Sequence, residues 1–324
     1  MDSSTDWEIP EPLRPKPAML GFDLDAAMAA IVSVRAEVPE DGFTAATLGT
    51  ERIGSGVVIR ADGIVLTIGY LITEAQSIWM TTIDGRAIPG HALAYDQTTG
   101  FGLIQALGKL GLPALVRGAS AACSVGDAVV MASHGGASHA LATRIAAKRE
   151  FAGYWEYLLD EAIFTVPAHP RWSGGALIGP DGHLLGIGSL LVQEKTEGKQ
   201  VDGNMIVPID LLDPVLNDLL THGQARRPQR PWLGIYAAES SRHIVVGGVA
   251  PGGPGERAGV KRGDVIMEVA GEPVARLADM YRLLWRLGGP KVEVPLSLAR
   301  GRQIVQATVQ AADRNDFMKK PGLH

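Results

Sequence analysis

Residues Gly54 to Thr67 read GSGVVIRADGIVLT. Two apolar, largely β-branched runs, Gly56 to Arg60 and Ile64 to Thr67, flank the turn signal Ala61-Asp62-Gly63, so the stretch predicts a β-hairpin. The same pattern recurs outward along the chain. Apolar runs at Ile78 to Ile83, Gly102 to Ala106, Ala128 to Ala132 and Leu184 to Leu191 alternate with turns such as Ile83-Asp84-Gly85 and Pro180-Asp181-Gly182. Runs separated by roughly 10 to 20 residues imply antiparallel hairpins, and their economical closure is an all-β barrel or sandwich.

Composition bounds the function. The 324 residues suggest two domains, at about 150 residues each. With 46% hydrophobic and 20% charged residues the chain can bury a core. Gly 40 and Pro 20 together exceed the usual share of about 12%, consistent with many tight turns. A formal charge of −5 offers no broad cationic field for a phosphate backbone, so nucleic acid is not an expected partner. Cys123 is the single cysteine, which excludes an intramolecular disulfide and a Cys-type zinc cluster; in its small-residue surroundings it reads as a buried structural thiol. The N-terminal stretch is acidic and proline-rich and does not read as a signal peptide. No apolar run approaches the roughly 20 residues that span a bilayer, so a cytoplasmic location without membrane association is the expectation. No cofactor is expected.

The pattern divides the chain. Residues 1–22 read as an extended arm, and Asp23 to Val38 (DLDAAMAAIVSVRAEV) as a short helix opening a β-rich body that runs to residue 223. The body ends in a helix within IDLLDPVLNDLLTHG, where His222-Gly223 supplies a stop. Gln224 to Pro231 (QARRPQRP) reads as a solvated linker. Residues 232–312 mix strands (Ile244 to Val249, Val265 to Val269, Val292 to Leu298, Gln303 to Val309) with a helix near Ala278 to Leu287, a smaller α+β module. Residues 313–324 read as a polar, mobile tail.

Three stretches together resemble the HtrA family, in which a trypsin-like protease domain precedes one or more PDZ domains. Gly54 to Thr67 is similar to the hairpin ahead of that family's catalytic histidine. Ile206 to Ile235 resembles its closing helix and linker, and Val249 to Val274 (VAPGGPGERAGVKRGDVIMEVAGEPV) resembles its PDZ signature. The resemblance implies a mainly β fold: a trypsin-like double six-stranded β-barrel over 23–223, followed by a PDZ domain over 232–312. It also implies a homotrimer formed through the arm and the first helix.

The family's catalytic histidine stands three residues after a strand-end threonine; here the run is Thr67, Ile68, Gly69, Tyr70, so Tyr70 occupies that position. A phenol titrating near 10 keeps its proton at neutral pH and cannot serve as imidazole does. The aspartate run corresponds to Asp96 through Gly102, which puts Gly100 at the catalytic position and leaves Asp96 as a turn residue. Ser173 alone is retained, in Pro170-Arg171-Trp172-Ser173-Gly174-Gly175. Arg171 takes the place of an oxyanion-hole glycine, where losing one donor costs about 3 kcal/mol. A serine hydroxyl needs an adjacent base, so the resemblance implies a pseudoprotease; the alternative is an active endopeptidase in which a base such as His169 activates Ser173. His134 and His139, with His169 or His183, could hold a metal, but scattered surface histidines explain the spacing equally well, and no metal is assigned.

The resemblance also implies a peptide groove. Trp232, Leu233, Gly234 and Ile235 match the loop whose amides receive a C-terminal carboxylate, with Arg230 just upstream, and Met280, Leu283, Leu284 and Leu287 supply candidates for the helical wall. The implied partners are peptides or protein C-termini, with a scaffold or chaperone-like role. The aromatic cluster Phe151, Tyr154, Trp155 and Tyr157 reads as core or oligomer contact.

Overall fold

The computed structural model describes residues 7–320 except 197, 241 and 242. The chain divides into two compact units; the first comprises residues up to 149, 161–226 and 319 onward. It opens with α1 (Leu24–Met28), capped by the Asp23 side chain accepting from the Ala26 N–H. The helix expected over Asp23 to Val38 ends there, because Ile31–Glu37 forms strand β1, with Val32, Val34 and Ala36 buried and Arg35 and Glu37 exposed. This period-two alternation of β-branched residues outweighs the helix propensity of the alanines before it.

The first closed barrel takes β1 with β2 (Glu51–Val58), β3 (Ile64–Ile68), β4 (Ser77–Thr81), β5 (Ala87–Tyr95) and β6 (Phe101–Ala106), ordered β1-β2-β3-β6-β5-β4. The Gly54 to Thr67 hairpin is its β2–β3 pair, with Val57 opposite Leu66. A short helix, α2 (Ala45–Leu48), lies between β1 and β2. The second barrel takes β7 (Ala128–Ala132), β8 (Ala140–Gly153), β9 (Tyr157–Val166), β10 (Ala176–Ile178), β11 (Leu184–Thr196) and β12 (Lys199–Pro208), ordered β10-β11-β12-β9-β8-β7. Met131, Ile145, Ile163, Leu177 and Ile206 fill its interior. The closing helix α3 (Asp213–His222) ends at Gly223, left-handed at φ 69°, whose N–H bonds the Leu219 carbonyl.

The arm is not a loose extension. Ile9 is buried and its N–H donates to the Ser138 carbonyl, while two single turns of 3-10 helix follow; residues 1–6 lie outside the described residues.

The second unit comprises 227–318 together with 150–160. Its sheet contains β13 (Ile235–Ser240), β14 (His243–Val249), β15 (Val265–Val269), β17 (Glu293–Arg300) and β18 (Gln303–Gln310) in that order, with β16 (Glu272–Pro273) paired to β15. The helices are α4 (Pro254–Arg257) and α5 (Leu277–Arg286). Leu277, Tyr281 and Leu284 recur at helical spacing on the buried face of α5 and pack with Ile235, Val246, Ile266 and Leu296. Two segments depart from the sequence-based boundaries. Residues 150–160 pack with this unit although they fall inside 23–223. Part of the expected tail folds back: Arg314–Phe317 is a 3-10 turn whose Phe317 ring lies 4.9 Å from that of Trp232. Residues 321–324 lie outside the described residues.

Candidate functional site

The site at Ser173 is assembled by tight turns of the first unit. β3 gives way to a 3-10 turn, Gly69–Leu71, which presents Tyr70. Gly69 donates its N–H to the Gly100 carbonyl at 2.7 Å, and a Cβ at Gly69 would lie 2.1 Å from the Tyr95 ring. The position expected for an orienting carboxylate is therefore a glycine turn with no side chain to offer. Asp96 is spent nearby, accepting from the Thr99 N–H at 3.1 Å and the Thr99 hydroxyl at 2.6 Å. Arg52, a buried residue that the sequence reading overlooked, donates to the carbonyls of Tyr70 (2.7 Å) and Thr73 (2.9 Å) and so fixes the turn.

Ser173 is followed by Gly174 at φ +70°, where a Cβ would meet the Ser55 carbonyl oxygen at 2.0 Å; the turn admits only glycine there. The Ser173 carbonyl accepts the Ser55 N–H at 2.8 Å. Tyr70 Oη stands 2.8 Å from Ser173 Oγ and 2.8 Å from the Ser189 carbonyl. One phenolic hydrogen serves both contacts, and the carbonyl can only accept; whichever way the hydrogen points, Ser173 meets a neutral phenol. Burial pushes that phenol up to about 12, with hydrogen bonds to Ser173 and Trp172 acting in the opposite sense.

His169 is fully buried and committed to the backbone. Its Nε2 pairs with the His139 carbonyl at 3.0 Å, and its Nδ1 accepts the Arg171 N–H at 3.0 Å. Neither ring nitrogen is left for Ser173, and the N–H of Arg171, the expected oxyanion donor, is turned into the imidazole. Burial pulls His169 down to about 4. Trp7 of the arm stands edge-on to His139 at 4.7 Å and to His169 at 5.6 Å, with the Arg171 guanidinium 4.8 Å from its ring. Nothing local to Trp7 signals this packing, since Trp7 precedes the turn by more than 160 residues. His134, also held near 4 by burial, lies 3.4 Å from Ser55 Oγ through its Nδ1. Among the described residues no cluster of three or more His, Cys, Asp or Glu could hold a metal. Cys123 is half-buried rather than buried, and burial pushes its thiol up, away from nucleophilic character.

In the second unit Trp232 is buried and pairs its N–H and C=O with Ala312, both at 3.0 Å. Gly234 adopts φ +67°, and a Cβ there would crowd the Trp232 ring at 3.1 Å. The flanking amides converge on a carboxylate: Glu156 accepts from the Leu233 N–H at 3.1 and 3.2 Å and from the Ile235 N–H at 3.3 Å. Of the helical-wall candidates, Met280, Leu283 and Leu284 are buried in the unit's core and Leu287 packs partly against it. Arg230 lies 3.6 Å from the centre of the Trp285 ring.

Two family models match: a trypsin-like peptidase domain over residues 54–187 and a PDZ domain over 245–294. These matches, with the two closed barrels and the α+β unit, define a trypsin-fold peptidase domain joined to a PDZ domain. The chain is similar to a protein of Halomonas elongata named as a DegP-like periplasmic serine endoprotease, 27% identical over 283 residues, covering 83% of this chain and 58% of that one. It is also similar to the serine protease HhoA of Synechocystis, 27% identical over 285 residues, covering 80% and 70%. The chain thus spans about 58% of the length of the first of these relatives. The fold matches the HtrA-type protease AlgW with a tripeptide at TM-score 0.51 and 20% identity, covering 93% and 99%, and a serine endoprotease from Yersinia pestis at TM-score 0.50 and 22% identity, covering 90% and 98%. Together the two matched domains and these likenesses support an HtrA-type protein.

Proposed function

We propose that this protein is an HtrA-type pseudoprotease that works by binding peptides rather than by cutting them. The observation that carries this reading is the partner of Ser173: the hydroxyl of half-buried Tyr70 at 2.8 Å, pushed up to about 12, at the place where the resemblance puts the family's histidine. Acyl transfer needs a base for the serine proton and a donor for the oxyanion. Tyr70 keeps its own proton at neutral pH, Gly100 carries no carboxylate to orient a base, and the Arg171 N–H is taken by His169. His169 cannot substitute as base while both its nitrogens serve the backbone. What the fold retains is a PDZ unit with an edge strand, a glycine-containing amide loop and a helical wall, the parts that receive an extended peptide. A scaffold or chaperone-like role for a homotrimer fits these parts.

Incubation with unfolded casein tests the reading directly. Intact casein after prolonged incubation is expected; fragments that disappear in Ser173→Ala would overturn it. Light scattering is expected to give a trimer, and a monomer would refute the assembly.

A further inference from the structure

We propose that the carboxylate-receiving loop of the PDZ unit is already filled by the chain's own Glu156, making residues 150–160 an intramolecular ligand that free C-termini must displace. The inference rests on reading this unit as a peptide binder. A PDZ groove offers an incoming C-terminus loop amides for its carboxylate, an edge strand for its backbone and an apolar site for its side chains. Residues 150–160 use all three, and they belong to the same compact unit as the groove.

The Glu156 carboxyl group accepts from the Leu233 and Ile235 amides at 3.1 to 3.3 Å, the two loop amides that would otherwise receive a terminal carboxylate. β13 is the outermost strand of its sheet, and its Ala237 N–H donates to the Tyr154 carbonyl at 3.1 Å, the contact expected of an added strand. Leu158 is buried in the apolar cluster with Leu233, Ile235, Met280 and Leu283.

The helical wall holds the segment as well. The Tyr281 hydroxyl donates to the Gly153 carbonyl at 2.8 Å and accepts the Glu156 N–H at 3.2 Å. Arg282 binds Glu150 at 2.6 Å and also Asp160, so one side chain clasps both ends of the segment. Glu156 itself sits at φ +59°, a left-handed conformation that a glutamate adopts only when its surroundings over-determine it. The strain and the buried carboxylate are explained together if this residue is placed to serve the loop.

A tethered ligand competes at the effective concentration its linkage sets, about millimolar for short connections. A tethered segment whose own dissociation constant lies about tenfold or more below that effective concentration leaves the groove vacant about a tenth of the time or less, and a free peptide's apparent dissociation constant rises by the inverse of the vacant fraction. At least tenfold weaker binding to the wild type than to Glu156→Ala follows.

The test uses the full-length chain and a pool of fluorescein-labelled decapeptides with free Leu, Val, Ile or Phe carboxylates, read by fluorescence anisotropy. Glu156→Ala is expected to bind the pool at least ten times more tightly than the wild type, and the same peptides with amidated C-termini are expected to lose that gain. Equal binding by wild type and variant would overturn the inference while leaving the peptide-binding reading intact. Binding by neither protein would overturn both. Hydrogen exchange on the wild type needs no variant to fold: slow exchange at the Leu233 and Ile235 amides is expected, and unprotected exchange at both would overturn the inference.

Discussion

The turn at Ser173 and the loop at Leu233 are both places where backbone amides stand ready to receive an anion, and in both the chain supplies the acceptor itself. At the turn, the acceptor for Arg171 is the imidazole of His169, only two residues away and locked by the His139 carbonyl. At the loop, the acceptor is Glu156, 77 residues from Leu233 in sequence. A local acceptor buried in the second barrel leaves only with the fold. A distant one, on a segment of its own, can exchange for a competitor. On the proposed reading, the difference separates a catalytic centre that has lost its base from a peptide site that is occupied but recoverable.

Four predictions press on that contrast, beginning with the largest effect. Gly174→Ala should cost the first unit more than about 3 kcal/mol, since a Cβ at φ +70° meets the Ser55 carbonyl oxygen at 2.0 Å; denaturant melts would read it, and a change below 1 kcal/mol would mean the turn is not rigid. His169→Ala should cost about 2 kcal/mol by emptying the imidazole's buried place, removing the acceptor of the Arg171 N–H and leaving the His139 carbonyl with the Ser133 N–H alone, while leaving peptide affinity unchanged. An altered peptide affinity would break the separation of the two sites.

The third prediction concerns pH, where the two regions should respond with opposite signs. His134 and His169 are held near 4, below the ordinary value of 6.5, chiefly by burial. Their folded pKa is depressed, so the neutral forms favour the fold; this stability is full above pH 6.5 and is lost as pH falls towards 4. Glu156 is raised from 4.5 to about 7, chiefly by burial, against the Leu233, Ile235 and Gly234 amides and Arg314, which lower it; Tyr281 and Tyr236 also face it. Its protonated form favours the fold, so its contribution is full below pH 4.5 and is lost as pH rises through 7. Region-resolved hydrogen exchange between pH 4.5 and 7 should show the first unit gaining protection with rising pH and the second losing it. Glu156→Gln should flatten only the second response.

The smallest effect is Tyr70→Phe, which removes the contacts to Ser173 and the Ser189 carbonyl and should cost about 1 kcal/mol. Calorimetry would detect it, and a loss above 3 kcal/mol would mean that the phenol carries more of the fold than two hydrogen bonds.

What could be read from sequence follows from how local each signal is. The β2–β3 hairpin and the Gly223 helix stop were legible because turn chemistry and apolar period lie within a dozen residues. Tyr70 and Gly100 are set against the family's histidine and aspartate positions by short runs of sequence alone. The helix drawn through Val38 failed where alanine propensity met the alternating Ile31, Val32 and Val34, and tertiary pairing decided for the strand. Trp7 against His169 and Glu156 in the amide loop were not legible, since nothing in either neighbourhood names a partner so far along the chain. Charged residues are mostly exposed, so nothing in the sequence marks Glu156 and Arg52 as the buried residues they are.

The most direct measurement of whether the catalytic centre is disabled is fluorophosphonate labelling of the wild type beside Ser173→Ala, read by intact mass. No adduct on either protein is the predicted result; an adduct on the wild type alone would contradict the account, because it would require a base at Ser173 stronger than the Tyr70 phenol.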